Sequence, residues 1–115
     1  MRSEAFGKAF EHFIYQELVA HSEYSGLHYP ISYWRTASQL EVDFVVGHAE
    51  AAIEVKASEQ VGSHHTRGLQ AFREEYQVKK PLIVSLDPRP RLMNGIHILP
   101  WQDFLEQLWS GRLVV

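Results

Sequence analysis

Two short runs near the middle of the chain carry acidic and basic side chains in an apolar background. The runs are Glu41-Val42-Asp43-Phe44-Val45-Val46 and Ala51-Ala52-Ile53-Glu54-Val55-Lys56, and Gly47-His48-Ala49-Glu50 lies between them. Both runs are rich in β-favouring residues and alternate in polarity, which predicts a hairpin of two antiparallel strands. Charged side chains on such a hairpin lie close enough to act together.

Asp43 and Glu54 are predicted to lie directly opposite each other on this hairpin. A turn centred between His48 and Ala49 gives this register, and directly opposed residues have Cβ atoms about 4.5–5.5 Å apart. Two carboxylates at that distance repel each other unless a cation lies between them. A divalent metal ion is the simplest explanation, and oxygen ligands of this kind suit Mg²⁺ or Mn²⁺.

Alternation along the two strands predicts Val42 and Phe44 on one face, with Asp43, Glu54 and Lys56 on the other. Lys56 follows Glu54 by two residues, so its ammonium group can orient or deprotonate a metal-bound water. Such a water can attack a phosphodiester in line while the metal stabilises charge on the phosphoryl oxygens. These three residues therefore predict metal-assisted phosphodiester hydrolysis.

The same register allows a simpler interpretation of the charges. It places Glu41 opposite Lys56, and the two side chains can form an ordinary cross-strand ion pair. Metal binding and a structural ion pair remain alternatives at this point.

Several further elements are needed to position the hairpin. Helical periodicity predicts a first helix over Arg2–His21, with Phe6, Phe10, Phe13, Ile14 and Leu18 on one side. The other predicted elements are strands at Leu27–Thr36, Leu40–Val46, Ala51–Ala57, Leu82–Leu86 and Ile96–Leu99, a helix over Val61–Lys80 ended by Pro81, a loop at Asp87–Arg91, and a last helix from Pro100-Trp101 to Gly111. The order α-β-β-β-α-β-β-α predicts an α/β fold in which helices flank a mixed central β-sheet.

Length and composition limit the classes of protein to consider. The chain has 115 residues, which suits one domain over residues 1–115, and its formal net charge is −3. The absence of cysteine excludes disulfides, cysteine-ligated zinc and thiol catalysis. No membrane-spanning segment and no secretory signal are recognised, so we expect a cytoplasmic protein. The mild negative charge argues against a broad basic surface for nucleic acid.

The hairpin resembles a known signature. Asp43…Glu54-Val55-Lys56 matches the pattern of the PD-(D/E)XK nuclease superfamily. More closely, the chain resembles the C-terminal domain of unknown function attached to many bacterial and archaeal AAA-type ATPases. The matching segments are Gly7-Lys8-Ala9-Phe10-Glu11, Tyr33-Trp34-Arg35, Glu41-Val42-Asp43-Phe44-Val45 and Ala52-Ile53-Glu54-Val55-Lys56-Ala57-Ser58. The resemblance implies a restriction-endonuclease-like core that hydrolyses DNA with Mg²⁺ or Mn²⁺.

The resemblance also implies roles for individual residues. Asp43 and Glu54 would bind the metal, and Lys56 would position or activate the water. A Gly-x-x-x-Glu setting in the first helix makes Glu11 a further catalytic and metal-binding acid. Helical periodicity alone instead places Glu17 nearer the middle of the apolar stripe. We choose Glu11 and keep Glu17 as the alternative.

Nucleic-acid contacts and partners are less closely specified. Arg35 is a candidate for a phosphate contact, and Gln70 and Arg73 lie on the helix that lines the site in such nucleases. The chain has no Walker A loop, so an ATPase partner would be a separate module. A homodimer is a further alternative that the sequence leaves undecided. The alternative function is a catalytically inactive accessory or interaction domain of an AAA-type ATPase system that keeps the nuclease fold.

Overall fold

Three helices and six strands make up the described part of the chain. The computed structural model describes residues 3–114. The elements are α1 (Glu4–Ser25), β1 (Ile31–Arg35), β2 (Glu41–Val46), β3 (Ala51–Val55), a short 3₁₀ turn (Ser63–Thr66), α2 (Arg67–Glu75), β4 (Lys80–Ser85), β5 (Arg91–Met93), β6 (Ile96–Pro100) and α3 (Trp101–Trp109). No helix in the described range is long and apolar enough to span a membrane.

The strands form a single mixed sheet in the order β1-β2-β3-β4-β6-β5. Strands β1, β2 and β3 pair antiparallel, β4 pairs parallel with both β3 and β6, and β5 pairs antiparallel with β6. The prediction of a mixed α/β fold with a helix-flanked sheet is confirmed. The parallel step from β3 to β4 needs a crossover, and α2 supplies it.

Helices cover both faces of this sheet, each over its own core cluster. The first core cluster joins α1 and α3 to one face, and includes Phe10, Ile14, Leu18, Val46, Ile53, Val84, Phe104 and Leu108. The second core cluster joins α2 to the other face, and includes Val42, Val45, Ala52, Val61, Leu69, Phe72, Ile83 and Ile98. The strands between them are therefore apolar on both sides, as expected for a sheet with two covered faces.

Helix α1 (Glu4–Ser25) continues four residues beyond the predicted end at His21, and the predicted start at Arg2 lies outside the described residues. The Ser3 side chain caps its first turn by accepting a hydrogen bond of 3.1 Å from the Phe6 amide. The helix ends only at Gly26, whose left-handed conformation (φ 77°) suits glycine. Of the predicted apolar stripe, Phe6 and Phe13 are exposed and the other three residues are buried.

The predicted register of the central hairpin is confirmed. Strand β2 pairs with β3 through Phe44–Ile53, Val45–Ala52 and Val46–Ala51. The turn lies at Gly47–Glu50, closed by a 3.1 Å hydrogen bond from the Glu50 amide to the Val46 carbonyl. Continuing this register brings Asp43 and Glu54 opposite each other just beyond the paired residues.

The predicted alternation of faces along β2 is wrong at Val42. Against β1, the pairing runs Ser32–Val45 and then Trp34–Val42. Tyr33 therefore faces two residues, Asp43 and Phe44, which is a β-bulge in β2. Because the bulge adds one residue, Val42 lies in the second core cluster while Phe44 packs against the first.

In the second half of the chain, the predicted end of the second helix is wrong and one strand is missing from the prediction. The helix predicted over Val61–Lys80 is a 3₁₀ turn followed by α2, which ends at Glu75 because Tyr76 is extended. Pro81 lies near the start of β4, where proline is tolerated, instead of ending a helix. The sequence prediction also missed β5, although Asn94 and Gly95, both with positive φ, form a hairpin turn before β6.

Candidate functional site

Asp43 and Glu54 are held together by each other's backbone. The Asp43 amide donates a 2.8 Å hydrogen bond to Glu54 Oε1. In return, the Val55 amide donates a 2.8 Å hydrogen bond to Asp43 Oδ2. Beyond the last regular pair of the hairpin, these two carboxylates therefore accept the hydrogen bonds between the strands that backbone carbonyl groups would normally accept. Both acids are fixed to rigid backbone.

Lys56 completes this group by pairing with Glu54. Its Nζ atom lies 3.2 Å from Glu54 Oε2. Glu54 is nearly inaccessible, with 3% of its side chain exposed, while Lys56 keeps 34% exposed. The alternative predicted from the register, an ion pair between Lys56 and Glu41, does not form at salt-bridge distance. Glu41 instead pairs with Arg35 at 3.1 Å.

Burial makes the two carboxyl groups unusually basic. Burial raises the pKa of Asp43 to about 7, and the nearby Glu11 adds to this rise while the Val55 amide and Lys56 oppose it. Burial likewise raises the pKa of Glu54 to about 8, with the charge of Asp43 adding to the rise and Lys56 opposing it. Two acids that cannot both ionise easily near neutrality are poised to accept a cation.

Burial acts on the pKa of Lys56 in the opposite direction from its effect on the two acids. Burial alone would lower the pKa of Lys56, but the adjacent Glu54 carboxylate outweighs it, and the pKa is raised. Lys56 is therefore a protonated donor at neutral pH. Of the two roles predicted for it, orienting a water molecule suits this state better than removing a proton.

Glu11 lies beside Asp43, as its effect on the pKa of Asp43 shows. Both residues line a pocket of about 310 Å³ between α1 and the edge of the sheet. Its lining residues are Glu11, Tyr33, Trp34, Arg35, Glu41, Val42 and Asp43. The alternative acid, Glu17, instead accepts a 3.0 Å hydrogen bond from the Trp109 indole.

The three predicted nucleic-acid residues lie in different places. Arg35 lines the pocket with Asp43 and pairs with Glu41 at its rim. Arg73 donates a 2.9 Å hydrogen bond to the Asn94 carbonyl, and Gln70 donates to the same oxygen at 3.4 Å. Asn94 belongs to the turn between β5 and β6, at the far end of the sheet from β2. Gln70 and Arg73 therefore hold that turn and do not line the pocket.

The donor set fits a hard divalent cation. Among residues 3–114 there is no group of three or more His, Asp or Glu side chains arranged to hold a metal ion. Mg²⁺, however, commonly uses one or two carboxylates and completes its octahedron with water. Asp43 and Glu54 supply those two carboxylates, and Glu11 is the nearby third acid.

Two features of the site could not be predicted from the sequence pattern. One is the exchange of backbone amides between the two acids, which depends on the bulge opposite β1. The other is Tyr33, which lines the pocket with 73% of its surface exposed. The available signal for Tyr33 was a large aromatic residue on a strand that follows Pro30, a position typical of a sheet edge.

Comparison with known proteins gives a family and no function. Neither the curated proteins nor the solved structures contain a match to this chain. The model of a family described as a domain of unknown function (DUF4143) matches residues 6–104. This match covers α1 from Phe6 onward, the whole sheet and the start of α3, including every residue of the candidate site. The chain therefore belongs to this family of domains of unknown function.

Proposed function

We propose that this domain is a metal-dependent nuclease of PD-(D/E)XK type that hydrolyses DNA phosphodiesters. The observation that carries the proposal is the buried pair of Asp43 and Glu54, joined by hydrogen bonds and flanked by Lys56. A bare pair of buried acids is costly. Binding of a divalent cation would explain why the protein carries such a pair of acids.

Each residue of the site has a role in this proposal. Asp43 and Glu54, with Glu11 from α1, would hold Mg²⁺ or Mn²⁺. The bound ion would supply charge stabilisation at the phosphoryl group and a more acidic water. Lys56, protonated and anchored on Glu54, would donate a hydrogen bond to the attacking water or to a phosphoryl oxygen. Arg35 would contact a neighbouring phosphate at the rim of the pocket.

The order of elements supports the same proposal. From α1 to β4 the chain runs α-β-β-β-α-β, which is the order that the resemblance to restriction-endonuclease-like cores implies. The site lies on the hairpin at the middle of that order, where β2 begins and β3 ends. An AAA-type ATPase module would be the partner that moves or loads DNA, because the chain itself carries no nucleotide-binding loop.

A second candidate function is a catalytically inactive accessory domain of an AAA-type ATPase system. One observation favours it: across residues 3–114, every buried side-chain nitrogen and oxygen already has a hydrogen-bond partner. The acids of the site are thus satisfied by amides and by Lys56 without any further ligand. In that case the group would hold the hairpin together and would have no chemical role.

A cleavage assay separates these two functions. Plasmid, single-stranded and branched DNA are incubated with the chain in Mg²⁺ or Mn²⁺, and with the variants Asp43→Asn and Lys56→Ala. The matched control is Glu17→Gln, which replaces an acid of α1 that accepts a hydrogen bond from the Trp109 indole. The proposal expects cutting by the chain and by the control only. Absence of cutting by the unaltered chain, or equal cutting by Asp43→Asn, would support the accessory function instead.

A further inference from the structure

Tyr33 is an exposed aromatic ring next to the acids of the site. It lies on the edge strand β1, directly opposite the bulge formed by Asp43 and Phe44. It lines the same pocket as Asp43 and Arg35, and 73% of its surface is exposed. Alternation along β1 places it on the same face as Ile31, which packs against the first core cluster under α1.

Tyr15 approaches the same place from the helix. It lies one turn after Glu11, so both side chains project from the same side of α1. Its ring stacks on Phe44, with centroids 5.7 Å apart and an interplanar angle of 27°. Tyr15 nevertheless keeps 41% of its surface exposed. Tyr15 therefore packs on the residue that follows Asp43, while Tyr33 is the tyrosine that lines the pocket itself.

An exposed tyrosine next to an arginine, at a site proposed to hold a phosphate, can bind the base of a nucleotide. Arg35 provides the positive charge at the pocket rim, 3.1 Å from Glu41. Aromatic side chains bind nucleobases by stacking, and this mode suits unpaired bases because the faces of paired bases are covered by their neighbours. A pocket of about 310 Å³ is at the small end of ligand-binding cavities. Its size suits a single nucleotide unit.

We propose that Tyr33 is a stacking platform for an unpaired base of the DNA strand whose phosphate lies at Asp43 and Glu54. This inference rests on the proposed function and narrows it to single-stranded DNA or to unpaired ends and flaps. Arg35 binds the phosphate that follows the stacked base. The platform therefore sets the position of the strand relative to the acids.

A second copy of this chain is the rival occupant, because β1 is an edge strand and edge strands can pair between molecules. Several features oppose that pairing. Pro30 directly precedes the strand, which has only five residues, and a bulge distorts its neighbour. Arg35 adds charge at its end. These are the features by which natural edge strands avoid pairing.

Binding in the presence of Ca²⁺ tests the platform separately from cleavage, because Ca²⁺ is an oxygen-liganded cation that can take the place of Mg²⁺ at the two carboxylates. Fluorescence anisotropy in Ca²⁺, with the strands shown to be uncut on a gel, measures the affinity for a labelled single-stranded oligothymidylate, for an abasic strand of equal length and for a duplex. Loss of one stacked base typically weakens binding about tenfold. We expect the chain to bind the base-bearing strand about tenfold more tightly than the abasic strand and more tightly than the duplex.

Variants assign that preference to Tyr33. Tyr33→Ala should bind the base-bearing and abasic strands alike, and Tyr33→Trp should keep the preference. The matched control is Tyr24→Ala, which removes an 85% exposed tyrosine that packs on Trp109 away from the pocket. Equal binding of both strands by the unaltered chain, or an unchanged preference in Tyr33→Ala, would overturn the inference. A dimer in gel filtration that Tyr33→Ala dissociates, without a change in binding, would overturn it in favour of the second copy.

The two proposals fail in different ways. A chain that prefers the base-bearing strand in Ca²⁺ but cuts nothing in Mg²⁺ or Mn²⁺ retains the platform and loses the nuclease activity. A chain that cuts DNA and binds both strands equally retains the activity and loses the platform.

Discussion

The Asp43 amide donates a 2.8 Å hydrogen bond to the Glu54 carboxylate, so the peptide of one acid holds the side chain of the other. The bond lies where β2 and β3 cease to pair regularly and the bulge turns Asp43 toward α1. Backbone groups move less than side chains, so this contact fixes the distance between the two acids. The proposed metal site is therefore preorganised, and the metal-free folded state bears the electrostatic cost of holding the two acids together.

Asp43→Asn should stabilise the metal-free protein while abolishing cleavage. The amide oxygen of asparagine can still accept the hydrogen bond from Val55, and the variant removes a charge that burial and Glu11 disfavour. At pH about 8 we expect the free energy of unfolding to rise on the order of 1 kcal/mol, the value of roughly one pKa unit. Urea denaturation in EDTA measures this change, with Glu17→Gln as the control. A marked loss of stability would show that the Asp43 charge is needed for folding.

The stability of the metal-free chain should fall as pH rises from about 6.5 to about 8. In the unfolded chain Asp43 and Glu54 have ordinary pKa values near 4, whereas burial raises them to about 7 and about 8 in the folded state. The folded state therefore holds more protons in this window, and its advantage disappears as they leave. Below about 6.5, His21 and His65 act in the opposite sense, because burial lowers their pKa values and the unfolded state gains protons first.

Urea denaturation at several pH values in EDTA tests this dependence. The double variant Asp43→Asn, Glu54→Gln should show a flat profile between about 6.5 and about 8. Millimolar Mg²⁺ or Mn²⁺ should remove the fall in the unaltered chain, since an ion that binds only the folded state stabilises it by mass action. A flat profile in the unaltered chain without metal would show that the two carboxyl groups are ionised with ordinary pKa values.

The sequence was most informative where structure depends on local signals. The register of the hairpin could be predicted because its turn and the paired residues on both sides of it lie in one short segment, from Phe44 to Ile53. The bulge at Asp43 could not be predicted from the hairpin, because it arises from the pairing of β2 with β1. For the same reason, alternation assigned Val42 to the wrong face.

In the second half of the chain, the end of α2 and the strand β5 differ from the prediction. The helix predicted up to Lys80 ends at Glu75, because the chain must return to the sheet for β4 to pair with β3. Pro81 predicts the end of a helix from local sequence, although a proline near the start of a strand gives the same local pattern. In contrast, Asn94-Gly95 is a strong hairpin signal, but β5 has only three residues (Arg91–Met93), too few for an alternating pattern to identify a strand.

Gly68→Ala should destabilise the fold close to the site. A Cβ atom at Gly68 would lie 2.1 Å from the backbone oxygen of Glu41, so α2 would have to move away from β2. Such overpacking costs about 1–3 kcal/mol, because backbone cannot rotate out of the way as a side chain can. The matched control is Gly7→Ala in α1, where a Cβ atom meets nothing within 4 Å. That variant should gain about 0.5–1 kcal/mol from helix propensity. Thermal unfolding of both variants measures the difference, and a neutral Gly68→Ala would contradict the close contact of α2 with β2.

The buried Asp87 should be a purely structural acid, in contrast to Asp43. Its carboxylate accepts a 2.6 Å hydrogen bond from the Ser85 hydroxyl and pairs with Arg91 at 2.7 Å. Arg91 also donates a 2.7 Å hydrogen bond to the Val61 carbonyl, so the pair ties the loop after β4 to the segment after β3. Asp87→Ala leaves Arg91 without its partner. We expect a loss of about 2–3 kcal/mol, below the value for a fully buried pair because Arg91 is about one-third exposed.

A double-mutant cycle distinguishes the ion pair from simple loss of packing. If the pair itself carries the stability, Asp87→Ala combined with Arg91→Leu should lose much less than the two single variants together, since no unpaired charge remains. Cleavage by the Asp87→Ala variant, corrected for its unfolded fraction, should equal that of the unaltered chain. Asp43→Asn should show the reverse combination, with stability retained and cleavage lost. Additive stability losses in the cycle would show that Asp87 and Arg91 act independently, and loss of cleavage in folded Asp87→Ala would place Asp87 within the working site.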